Sequence, residues 1–131
     1  MNSRLLMVTS SAVLAIGGIA AIFAPAELLS SIGLSDIAPP VLVQLLGALY
    51  FAFAITNWTA KDNAIGGIYS RPLSLGNFSH FAIGTLVLVR PVVALPRVPL
   101  LLAFVVYAVF ALLFGALLFG RGPVKRSANA K

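Results

Sequence analysis

The chain has 131 residues, of which 60% are hydrophobic and only 9% are charged, and its mean hydropathy is +1.05. This composition lies far outside that of soluble domains and predicts a single membrane domain. The absence of cysteine excludes disulfides, thiolate metal sites and iron–sulfur clusters. The net charge of +6 rests on nine Lys and Arg residues, most of them in alternate loops, so membrane topology accounts for it better than nucleic-acid binding does.

Four apolar segments predict helices that span a membrane. Each has 18 to 22 residues, which at roughly 1.5 Å per helical residue approaches the hydrocarbon thickness of about 30 Å. Because lipid offers no hydrogen bonds to the backbone, only helices and closed barrels can cross it. The sequence therefore predicts an all-α, four-helix bundle over residues 1–131, with spans at 5–24, 40–60, 72–89 and 98–119.

The segments between the spans carry their own signals. Residues 25–33 predict a short helix on the outer surface, because Pro25 can begin it, Glu27 falls in its first turn and Gly33 can end it. Residues 90–97 contain two prolines and predict a tight outer hairpin. Residues 120–131 form a basic tail.

The distribution of positive charge predicts the orientation. Arg90 and Arg97 fall on one side of the predicted bundle, and the other seven Lys and Arg residues fall on the opposite side. Since positive residues collect on the cytoplasmic side, we expect a multi-pass protein of the inner membrane with both termini in the cytoplasm.

Small residues at helical spacing predict the faces on which helices pack. Without a hydrophobic force between helices in lipid, close backbone contact and hydrogen bonds hold a bundle together. Such contacts are expected within the bundle, with other membrane proteins or in a homo-oligomer. The candidate packing residues are Gly17, Gly47, Gly76, Gly84, Ala111 and Gly115.

One polar cluster surrounds the loop between the second and third spans. His80 lies eight residues after Pro72, which places it about 12 Å into the third span. Antiparallel pairing of the two spans would bring Asn57 towards Asn77, and Tyr50 or Ala54 towards His80. Arg71 stands at the start of the third span, where a helix N-terminus also favours anions. The residues Asn57, Arg71, Asn77 and His80 are therefore a candidate ligand-binding site open to the cytoplasm.

Each of these side chains also has a structural interpretation. Four roles compete for His80: a haem or metal ligand, a proton carrier, a donor to a quinone or lipid carbonyl, and a structural histidine bonded to Asn or Tyr. A lone histidine supplies only one ligand, so we predict no metal site and no catalytic residue. Arg71 and Lys61 can also be interpreted as positive anchors at the membrane surface, with Arg71 paired to Asp62.

The segments Leu45-Leu46-Gly47-Ala48-Leu49, Asn57-Trp58 and Leu75-Gly76-Asn77-Phe78-Ser79-His80 give the chain a resemblance to known proteins. Over roughly residues 12–119 it resembles a group of small bacterial four-helix membrane proteins, some of which are called DoxX-like. The resemblance implies a role beside membrane oxidoreductases and quinone. It carries over no catalytic residue.

Three functions fit these patterns. The first is a non-enzymatic accessory or structural subunit of a membrane complex, because the sequence has no acid–base pair or charge inside the predicted spans. The second is a protein that binds a small ligand, such as a quinone or a lipid, and is linked to a redox system. The third, a small transporter, has only the number of helices in its favour.

Overall fold

A computed structural model describes residues 3–62 and 70–120, and every regular element in these ranges is a helix. The helices are α1 (Ser3–Phe23), α2 (Pro25–Ile32), α3 (Pro40–Ala60), α4 (Ser70–Ala94) and α5 (Val98–Phe119). All except α2 are long and apolar enough to cross a membrane. The predicted all-α fold with four such helices and one short helix is therefore confirmed. Most of the predicted basic tail, residues 121–131, lies outside the described residues.

The predicted outer hairpin at 90–97 is wrong in its extent, because α4 continues to Ala94. Pro91 lies inside the helix, and its carbonyl accepts a hydrogen bond of 2.8 Å from the Leu95 amide. Proline cannot donate a backbone hydrogen bond, and its ring crowds the carbonyl four residues earlier, but its own carbonyl can still accept, so helical bonding resumes after it. Pro96 then excludes helical geometry at Leu95, which leaves residues 95–97 as the connection to α5.

Helix α2 begins and ends at the residues that the sequence indicated. Pro25 occupies its first turn, and Gly33 ends it with a φ of 77° in the left-handed region. The amides of Gly33 and Leu34 bond to the carbonyls of Ser30 and Leu29, at 3.1 and 2.8 Å. A glycine is favoured at this position because a side chain is strained at positive φ.

The long helices alternate in direction. Arg4 at the start of α1 pairs with Asp62 just after α3, at 3.0 Å. The ring of Phe78, early in α4, contacts Phe119 at the end of α5. Both ends of the described chain therefore lie at one end of the bundle, called here the N-terminal end. The opposite end, which carries α2, is called the α2 end.

The backbones pack closely in two pairs, α1 with α3 and α4 with α5. In the first pair Gly18 faces Gly47, and a Cβ atom added to either would lie 2.8 Å from the carbonyl oxygen of the other. In the second pair Phe81 and Phe114 are fully buried and their rings stack. Helices α3 and α4 meet through longer side chains, which leaves space between the pairs.

The packing residues named from the sequence have different environments. Gly47 and Gly84 lie where no Cβ fits, against Gly18 and the Tyr107 ring, while a Cβ on Gly115 would lie 3.1 Å from Phe78. Ala111 packs against the apolar core. Gly17 and Gly76 have room, with nearest atoms at 3.7 and 3.9 Å from an added Cβ.

Candidate functional site

The four candidate ligand-binding residues fall into three separate environments. Asn57 and Asn77 form a buried amide pair, His80 belongs to an aromatic cluster, and Arg71 is exposed in the first turn of α4. At 1.5 Å per residue, Arg71 and His80 are about 13 Å apart along the helix axis. The structure therefore does not gather the four residues around one ligand.

Asn57 and Asn77 are both fully buried and bind each other through two reciprocal hydrogen bonds. Each Nδ2 donates to the other Oδ1, at 2.8 and 2.7 Å. The second hydrogen of each amide group is also used, by Ser10 Oγ at 3.0 Å and by the Leu73 carbonyl at 3.0 Å. These bonds tie α1, α3 and α4 together and occupy every amide N–H of the pair, so we assign the pair a structural role.

His80 lies near the middle of α4 and is half-buried among aromatic rings. The Phe53 ring stacks on the imidazole with centroids 5.4 Å apart, and the Tyr50 ring meets it edge-on at 5.5 Å. Nε2 of His80 hydrogen-bonds the Tyr107 hydroxyl at 3.2 Å, and Tyr107 in turn hydrogen-bonds the Tyr50 hydroxyl. The three residues, called here the Tyr–Tyr–His chain, connect α3, α4 and α5.

The Tyr–Tyr–His chain forms part of the wall of an open groove between α3 and α4, called here the α3/α4 groove. Its volume is about 450 Å³, within the range of roughly 300–1,000 Å³ that is usual for small-molecule sites. Ser79 adds a hydroxyl to the wall, and Gly76 leaves room beside it. The lining residues relevant here are Tyr50, Phe53, Gly76, Ser79, His80 and Tyr107.

Nδ1 is the ring nitrogen of His80 that the Tyr–Tyr–His chain leaves without a hydrogen bond. It has no hydrogen-bond partner within residues 3–62 and 70–120, and it is not buried. When Nε2 accepts the Tyr107 proton, Nδ1 carries a hydrogen and donates; when Nε2 donates, Nδ1 accepts. The groove can thus offer a hydrogen bond of either polarity to a bound molecule.

Arg71 and Asp62 do not form the ion pair that the sequence raised as one interpretation. Asp62 instead contacts Arg4 at 3.0 Å and Lys61 at 3.6 Å. Lys61 also lies 4.3 Å above the Trp58 ring. All these charges are at the N-terminal end of the bundle, away from the α3/α4 groove.

Sequence reasoning missed Tyr107, which joins His80 to Tyr50. In the sequence analysis, α5 supplies only the candidate packing residues Ala111 and Gly115. Tyr107 is nevertheless its only residue with a polar side-chain group, and a single hydroxyl in a spanning helix is expected to seek a partner. The single hydroxyl in α5 was therefore the feature of the sequence from which Tyr107 could have been identified. Among the described residues, no group of three or more His, Cys, Asp or Glu side chains is placed to hold a metal ion.

Comparison with protein-family models, with curated proteins and with solved structures gave no match for this chain. By its own structure, the protein is an all-α bundle with four candidate spans and an aromatic groove beside a histidine.

Proposed function

We propose that the protein binds a small amphipathic molecule with a ring or carbonyl oxygen, of the quinone or lipid class, in the α3/α4 groove. The observation that carries the proposal is the Tyr–Tyr–His chain in the wall of that groove. An ionisable side chain at this depth of a spanning helix is costly and is by default a candidate functional group. The stacked rings of Phe81, Phe110 and Phe114 already fill the contact between α4 and α5. The His80 imidazole is therefore not needed there as a packing group.

The groove matches the chemistry of such a ligand in two respects. Its aromatic wall, with Phe53 stacked on His80, favours a flat apolar ring. Nδ1 of His80 supplies a hydrogen bond to a carbonyl or hydroxyl oxygen, and the preceding bonds from Tyr50 and Tyr107 strengthen it by polarisation.

In this proposal the protein is a non-enzymatic component of a redox system in the inner membrane, with both termini in the cytoplasm. The DoxX-like resemblance supports the redox association, and the seven positive residues on one side support the orientation. The accessory-subunit and transporter hypotheses are alternative outcomes of the test.

The test is extraction of the tagged protein in native lipid, followed by absorption spectroscopy and mass spectrometry of what stays bound. We expect a stoichiometric small molecule that is lost in His80→Phe, which keeps a ring but removes both nitrogens. Thr56→Ala is the matched control, because Thr56 is exposed on α3 and bonds only its own helix, at the Ala52 carbonyl.

Full retention of the molecule by His80→Phe would contradict the proposal. A reproducible set of partner proteins without a small molecule would instead favour the accessory subunit. Ion or amphiphile flux through liposomes that contain the protein would favour the transporter.

A further inference from the structure

A second cavity, partly open to the outside, lies between the helices at the α2 end, and it is called here the α2 pocket. Its volume is about 340 Å³. All five described helices line it, for example through Gly17, Leu29, Val43, Leu88 and Leu100. Small side chains on α1 leave the space open, and helix α2 lies across it. The lining is apolar apart from the groups of Ser31 and Tyr50.

One cation stands at the edge of the α2 pocket. Nη1 of Arg97 lies 3.5 Å from the carbonyl oxygen of Ser31, and Ser31 lines the pocket. The chain from Arg97 continues directly into Pro99 and Leu100, which also line it. The guanidinium is exposed, and the ion pairs of the described residues both involve Asp62 at the other end of the bundle. Most of its five N–H donors are therefore available.

The combination restricts the class of ligand. In a bilayer a lipid chain gains little by moving from other chains into an apolar pocket, because both surroundings are equally apolar. Selective occupancy then depends on the headgroup. A guanidinium can bind two oxygens of a phosphate at once and is the favoured cation for this anion. In a zwitterionic headgroup the lipid's own ammonium already neutralises the phosphate, so Arg97 favours a headgroup with net negative charge.

We infer that the α2 pocket holds one acyl chain of an anionic phospholipid whose phosphate is bound by Arg97. The pocket is separate from the α3/α4 groove, although Leu46 and Tyr50 line both. This inference does not depend on the ligand proposed for the groove. It also gives α2 a role, since this helix lines the pocket while the Ser31 carbonyl in its last turn holds Arg97 near the edge.

The inference can be tested by native mass spectrometry of the full chain, delipidated in detergent and titrated with phosphatidylglycerol or phosphatidylcholine of identical chains. We expect one phosphatidylglycerol to bind with at least fivefold preference. Arg97→Gln should remove the preference. Arg90→Gln, which changes another exposed arginine of the same end, should preserve it. Equal binding of the two lipids by the wild type, or an unchanged preference in Arg97→Gln, would overturn the inference.

The pocket itself is tested by filling it. Ala103 is half-buried and lines the pocket, so Ala103→Phe should reduce phosphatidylglycerol binding at least fivefold. Ala48→Phe, at an exposed position of α3, is the control for added bulk. Undiminished binding in folded Ala103→Phe would count against the pocket.

A wild-type measurement covers the case in which a variant fails to fold. Phosphatidylglycerol with a photoactivatable group in its acyl chain should crosslink to α2 and the first turns of α5. Crosslinks confined to outward-facing residues such as Val105 and Val109 would overturn the inference.

Discussion

At the scale of single residues, the amide pair of Asn57 and Asn77 shows how a bundle with few polar groups fixes its register. Each amide satisfies the other, and Ser10 and the Leu73 carbonyl take the remaining N–H groups. Nearby, Ser74 Oγ is the one buried side-chain polar atom without a partner in the described ranges. If α3 slipped along α4, several more buried polar atoms would lose their partners. The free-energy cost of burying them unpaired opposes such a slip.

The pair predicts non-additive effects of substitution. Asn57→Leu leaves the Asn77 amide buried without its partner, so we expect it to lower the free energy of unfolding by about 1–3 kcal/mol. Removing both amides in Asn57→Leu/Asn77→Leu should cost less than the sum of the two single changes. Reversible unfolding in detergent mixtures measures this cycle, with Thr56→Val as the control. Strictly additive costs would show that the two amides act independently.

At the scale of helices, the α1/α3 contact depends on Gly18 rather than on its neighbour Gly17. The sequence identified the right helix face only approximately, since Gly17 and Gly18 differ by about 100° around the axis and both are small. The nearest contact falls at Gly18, where Ser11 on the same face also donates to the Ala54 carbonyl at 2.7 Å. The rotation of α1 about its own axis decides which of the two glycines meets α3. The sequence of an almost uniformly apolar helix contains little pattern from which to predict that rotation.

This pair provides a matched stability test. Gly18→Ala adds a Cβ 2.8 Å from the Gly47 carbonyl and 3.0 Å from the Phe51 amide, which are backbone atoms that cannot move aside. We expect a loss of about 1–3 kcal/mol from overpacking. Gly17→Ala meets nothing closer than 3.7 Å and should be neutral or stabilising by up to about 1 kcal/mol through helix propensity. Equal thermal stability of the two variants in detergent would contradict this packing.

The long helices and α2 could be predicted because length, composition and end signals are local properties of the sequence. The continuation of α4 through Pro91 and the contact of Tyr107 with His80 could not. The first depends on the backbone resuming its hydrogen bonds after the proline, and the second on the rotation of α5 relative to α4. The approach of Asn57 to Asn77 could be predicted, because the depth of each residue in its helix follows from counting residues away from the loop that connects the two helices.

At the scale of the whole molecule, the bundle has chemically different ends. Arg4, Lys61 and Arg71 lie at the N-terminal end, where both ends of the described chain also lie. Arg90 and Arg97 lie towards the α2 end together with Glu27 and Asp36. The net positive charge of the described residues is therefore greater at the N-terminal end, which is the end that the proposed orientation places in the cytoplasm.

The natural absence of cysteine makes this orientation directly measurable. In intact cells, a membrane-impermeant maleimide should label Ser35→Cys at the α2 end and should not label Ser127→Cys in the basic tail. After the cells are opened, both variants should react, which controls for access. The reverse pattern would place the termini outside the cytoplasm.

The ring of Tyr50 is a wall shared by the α3/α4 groove and the α2 pocket. A molecule that displaces this ring from one side changes the space available on the other. Thermodynamic linkage then requires reciprocity: whatever factor a lipid in the pocket imposes on the affinity of the groove, the groove's ligand imposes on the affinity for the lipid. A change in the surrounding lipid could in this way alter ligand affinity without any contact between the two molecules.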